Sequence, residues 1–141
     1  MKNEINVLDE LNKGACMGMD AIDFIIDKVK DKDFVDVLKI QYKKYEEIST
    51  KIHKLYPDTK KEPHETNAMN KMMTWYGIEM KTMNDQSNSK IAELLLQGTN
   101  MGIIEGRKLL NHNDIEKDVH DLIQEYVDMQ EDAVENLKKF L

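Results

Sequence analysis

The pattern Gly-x-x-Met-Gly occurs twice in this chain, as Gly14-Ala15-Cys16-Met17-Gly18 and as Gly98-Thr99-Asn100-Met101-Gly102, 84 positions apart. Each copy lies in a run whose apolar residues recur every three or four positions, so each glycine pair falls inside an amphipathic helix. A glycine in a helix interior costs about 1 kcal/mol relative to alanine, so two such pairs imply that something comes close to the backbone there. The same offset carries Val35, Leu38, Gln41-Tyr42 and Glu47 onto Val119, Leu122, Glu125-Tyr126 and Glu131. One helical hairpin has been used twice on this reading. It predicts that the first and third helices cross at a small-residue seam, with Gly14, Gly18 and Ala21 facing Gly98, Gly102 and Gly106.

The first hairpin spans 3–56. Its first helix starts near Asn3 or Asn6 and runs to about Lys30, with Leu8, Leu11, Ala15 and Ile22 on its apolar stripe. A short turn follows, in which Asp31 or Asp33 can cap the second helix. The second helix presents Leu38, Tyr42, Tyr45, Ser49 and Ile52 on one face and ends by Pro57, because a residue before proline avoids the α region. A crossover helix is expected over 63–83, where Met69, Met72, Met73, Tyr76, Met80 and Met83 recur at helical spacing, with Trp75 at the edge of that stripe. The polar run 84–89 either breaks or continues that helix. The second hairpin, 89–140, has a third helix ending around Leu110–His112 and a fourth starting at Asn113 or Asp114, where Asn113 and Glu116 have capping-box spacing.

Composition supports an all-α chain forming a single domain over 1–141. At 141 residues it can remove roughly 70% of its unfolded surface from water. Two prolines with 40% hydrophobic and 33% charged residues suit packed helices better than disorder. Cys16 is the only cysteine, which excludes an internal disulfide; its apolar surroundings suggest a buried, inert thiol. No stretch of 18 apolar residues exists and the first residues carry no apolar run, so the expected place is the cytoplasm, with no membrane partner. The formal charge of −7 argues against nucleic acid, which demands a basic face. Nine acids against three lysines in 113–141 carry most of that imbalance, as the solvated face of the last helix.

Two antiparallel hairpins joined by a long crossover resemble the ferritin-like superfamily. The stretch Ile91-Ala92-Glu93-Leu94-Leu95-Leu96-Gln97-Gly98-Thr99-Asn100-Met101-Gly102 is similar, more narrowly, to small bacterial helical-bundle proteins, some related to spore coat proteins. The resemblance implies a ferritin-like four-helix bundle from a duplicated hairpin, with an extra amphipathic helix in the crossover. It also implies a di-iron site, built from one carboxylate on each of two helices and Glu-x-x-His on each of the other two. Here Glu46 is followed at the third position by Ser49, Glu47 by Thr50 and Glu131 by Val134, so the motif is missing from both helices. Asp20 and Glu105 are the nearest carboxylates on the remaining two. His53, His64, His112 and His120 do not restore it, although Glu116 and His120 could pair on one helix face. The expectation is a non-catalytic structural or interaction protein without catalytic, cofactor or metal residues, self-associating through Met69–Met83 or the acidic last helix. The alternative is a divergent di-metal oxidase or metal store holding iron or manganese through Asp20, Glu46, Glu47, Glu105 and Glu131. A weaker third reading is a Cu(I) carrier using Met69, Met72, Met73, Met80 and Met83.

Overall fold

The computed structural model describes residues 2–56, 84–112 and 114–141, with side chains from Glu4 onward. The expected crossover helix 63–83, its methionines, Trp75, His64 and Asn113 lie outside the described residues, as does any self-association through Met69–Met83. Within them the chain is α-helical and has no strand: α1 is Lys2–Ile25, α2 Lys32–Leu55, α3 Asn88–His112 and α4 Lys117–Lys138.

Local chemistry fixes the helix ends. α1 stops short of the expected Lys30, tightening into a 3-10 turn over Ile26–Lys28, after which buried Val29 is extended and donates its N–H to the Ile26 carbonyl at 3.1 Å. Asp31 caps α2, its Oδ1 accepting from the Phe34 N–H at 3.1 Å, and its Oδ2 accepts from the Asn88 side-chain amide at 3.2 Å. At the other end Tyr56 is extended, with φ −67° and ψ 140°, as a residue preceding proline should be. Residues 84–87 are not helical, so the polar run opens α3 rather than continuing an earlier helix; Ser87 Oγ accepts from the Lys90 N–H at 3.2 Å. α4 begins at Lys117, later than the expected Asn113 or Asp114. Glu116 N–H is taken instead by Glu4 Oε1 at 2.9 Å, and Ile115 packs against the core, which holds these residues extended.

These ties also give the helix directions. α2 and α3 start beside each other at Asp31 and Asn88. α1 and α4 start beside each other at Glu4 and Glu116. α1 therefore runs with α4 and against α2 and α3, and the end of α2 lies at the opposite end of the bundle from the start of α3. α1 packs on α2 and α3 on α4, while the hairpins join through α2 on α4 and α1 on α3.

The core is one cluster drawn from all four helices, including Leu8, Leu11, Phe34, Leu38, Ile91 and Ile123. On α2 the buried stripe is Phe34, Leu38, Gln41, Tyr45, Ile48 and Ile52, so the helix is turned from the expected face: Gln41 and Ile48 point inward, and Tyr42 and Ser49 are half-buried beside them. Phe34 is fully buried and stacks on Phe140, with ring centroids 4.2 Å apart and planes 7° from parallel. This pair closes the end of the bundle opposite the Tyr56 end of α2. Phe34→Ala should therefore lower the unfolding free energy by about 3–5 kcal/mol, measured by urea denaturation, through the cavity it leaves and the stack it removes.

Candidate functional site

None of the described glycines has positive φ, so what the missing side chain supplies is room. A β-carbon at Gly14 would come within 3.0 Å of the Tyr126 hydroxyl, one at Gly18 of the Tyr45 ring, one at Gly102 of the Gln130 amide nitrogen, and one at Gly106 of Val127 Cγ2. The glycines of α1 and α3 thus admit side chains from α2 and α4. This refines the seam expected from the repeat: α1 does pack against α3, but what these four glycines admit is side chains of α2 and α4. Large rings and an amide fit beside these glycines where a second helix was expected.

Between those two helices lies a cavity of about 920 Å³. Apolar residues such as Leu11, Met17, Ile22, Leu95 and Leu109 wall it. Gln41, Tyr45, Thr99, Tyr126 and Gln130 give it a polar floor, and each of the five is buried. Tyr45 donates its hydroxyl to Gln130 Oε1 at 2.9 Å, joining α2 of one hairpin to α4 of the other, and Gln41 and Thr99 stand beside the same hydroxyl. Thr99 Oγ1 donates to the Leu95 carbonyl at 2.8 Å. Among the described residues, Gln41 Oε1 and Gln130 Nε2 have no partner at good hydrogen-bonding geometry, although the Gln130 amide stands beside the Tyr126 hydroxyl and against Gly102.

The floor carries no formal charge. Burial pushes Tyr45 up to about 12 and raises Tyr126 as well, the latter helped by Tyr45 beside it and by the charge of Glu105. Charged groups stand at the rim, where each lysine is matched by a glutamate on its own helix: Lys13 with Glu10 at 2.6 Å and Lys108 with Glu105 at 3.8 Å.

The carboxylates of the metal reading do not meet. Glu46, Glu47, Glu105 and Glu131 are exposed, and only Asp20 is half-buried, near Tyr42. Glu131 faces Arg107 at 3.7 Å and Glu105 faces Lys108. No group of three or more His, Cys, Asp or Glu side chains suited to a metal ion occurs among the described residues. The donor set that a di-iron centre demands is not assembled by these residues. His120 lies beside Asp121 at 3.8 Å, with no side-chain bond to Glu116; His53 is exposed, and His112 is exposed on the cavity rim. Cys16 is half-buried, in contrast to the buried thiol expected.

Gln41 and Gln130 escaped the sequence reading. Their signal was present: Gln41 falls three residues after Leu38 and four before Tyr45, on the apolar stripe itself, and Gln130 sits between Tyr126 and Ala133 in the same way. A glutamine on a buried stripe demands a partner.

Two tests follow from this geometry. Helix propensity alone would have Gly18→Ala gain about 1 kcal/mol. Because the new methyl meets the buried Tyr45 ring, we expect a loss of about 1–3 kcal/mol in urea denaturation instead. Tyr45 rises from 10.0 to about 12, so the fold favours its neutral form; that contribution is complete below pH 10 and is lost as pH climbs toward about 12. The urea midpoint should decline across this window, and less steeply in Tyr45→Phe.

No family model, curated protein or solved structure matches this chain.

Proposed function

We propose that this is a non-catalytic binding protein, a helical bundle whose cavity between α1 and α3 takes up an apolar small molecule. The observation that carries the reading is a cavity of about 920 Å³ with apolar walls and a few buried polar groups on its floor. Ligand pockets of roughly 300–1,000 Å³ have this make-up, with apolar area supplying affinity and a few polar groups fixing orientation. Among the described residues no nucleophile, acid–base pair or metal set is gathered at its floor, and this supports a binding role.

The same proposal takes the fold to be ferritin-like and made from two copies of one hairpin. Its support is the pairing within each hairpin. Gly18 admits Tyr45 and Gly102 admits Gln130 at the same chain separation to within one residue. The helix directions, with α2 and α3 starting at one end, agree with a long crossover between hairpins.

The test is titration with Nile red, a neutral dye that brightens in apolar surroundings. It should bind saturably at about one dye per chain, and Met17→Trp, which fills the wall, should weaken it about tenfold or more without lowering the thermal midpoint. Absence of saturable binding, or undiminished binding by a folded Met17→Trp protein, overturns the proposal.

A further inference from the structure

We infer that the cavity is a blind slot that takes a long-tailed amphiphile tail first and accommodates a straight alkyl chain of about 14 carbons, leaving the head in water. The inference rests on the binding role proposed above and adds the ligand's shape and its direction in the site.

The length of the slot is set by the two helices that wall it. Leu11, Gly14, Gly18 and Ile22 line it at successive turns of α1, and its lining on α3 continues turn by turn from Leu95 to His112. At a rise of about 1.5 Å per residue, Glu10 and Ile22 lie about 18 Å apart along α1, and Leu95 and His112 about 25 Å apart along α3. α1 runs against α3, so Ile22 and Leu95 belong to one end of the slot and Glu10 and His112 to the other. Both helices therefore wall it for about 18 Å. An extended alkyl chain, with bonds of about 1.5 Å set in a zigzag, advances about 1.25 Å per carbon, so about 14 carbons span that distance. The cavity volume of about 920 Å³ exceeds that of one such chain, so length rather than width sets the limit.

The two ends differ in a way that gives the ligand a direction. At one end Ala21, Ile22 and Leu95 are buried, and the residues one turn further on the same faces, Ile25 and Ile91, are both 0% exposed within the core cluster, so the slot stops there. At the other end Glu10, Lys108 and His112 are exposed to water. A polar head left at that mouth keeps its hydration, whereas one pushed to the blind end would lose it with no charged partner to compensate. Every methylene taken out of water favours binding. Affinity should accordingly climb with tail length until the tail meets Ile25 and Ile91, after which added carbons remain outside.

The experiment competes alkyl maltosides, from octyl to hexadecyl and each below its micelle concentration, against Nile red on the full chain. The bulky neutral sugar holds each ligand's head at the mouth. Affinity should rise about fourfold per methylene and level off near 14 carbons. Ala21→Phe, which fills about one turn of the blind end, should bring the plateau down to about 10 carbons, and Leu95→Phe should shorten it from the facing helix. His112→Phe, at the mouth, should leave it in place. Circular dichroism confirms that each variant is folded. Affinity that still rises through hexadecyl overturns the inference, and so does a plateau at the same length in the wild type and in the folded blind-end variants. Nile red separates the two levels: if it fails to bind, the binding role itself falls; if it binds and tail length has no effect, only the slot reading falls.

Discussion

The fold depends on side chains of α2 and α4 reaching past the missing β-carbons of α1 and α3. Tyr45 enters over Gly18 and Gln130 over Gly102, and the two then meet in a buried hydrogen bond of 2.9 Å that spans the hairpins. With alanine at either glycine the ring or the amide would have to withdraw, and the bond with it. The tie between α2 and α4 thus depends on the missing β-carbons of α1 and α3.

The interior polarity is that of amides and hydroxyls, with the carboxylates kept outside. Gln41, Tyr45, Thr99, Tyr126 and Gln130 are buried, whereas Glu46, Glu47, Glu105 and Glu131 are exposed. Ion pairs such as Lys51–Glu125 and Arg107–Glu131 lie at the surface, where water screens them and each contributes little. An interior of this kind can orient a neutral molecule through hydrogen bonds. Among the described residues no cluster of His, Cys, Asp or Glu suited to a metal ion occurs there.

Much of the architecture was legible from the residues. Helical spacing located all four described helices, Asp31 or Asp33 announced the start of α2, where Asp31 is the cap, and Tyr56 before Pro57 announced its end. Two boundaries were not legible because they depend on contacts distant in sequence: Glu4 takes the Glu116 N–H that a local cap would have used, and α1 tightens over Ile26–Lys28 to bury Val29. The site was half legible. The glycines marked the right place on α1 and α3, but a glycine reports only that something comes close, never what. Choosing between a backbone and a ring required knowing how α2 is turned, and a turn of one position exchanges Tyr42 for Gln41 on the buried face.

Asp31 has a wider role than ending a turn. One of its oxygens holds the first turn of α2 and the other holds Asn88 at the first turn of α3, so a single carboxylate anchors the beginnings of helices from both hairpins. Fraying at that corner releases both helix starts together, and with Phe34 stacked on Phe140 at the same end neither hairpin can open there without the other. Native-state opening at this corner is accordingly a property of one cooperative unit, even though the chain reads as a hairpin written twice.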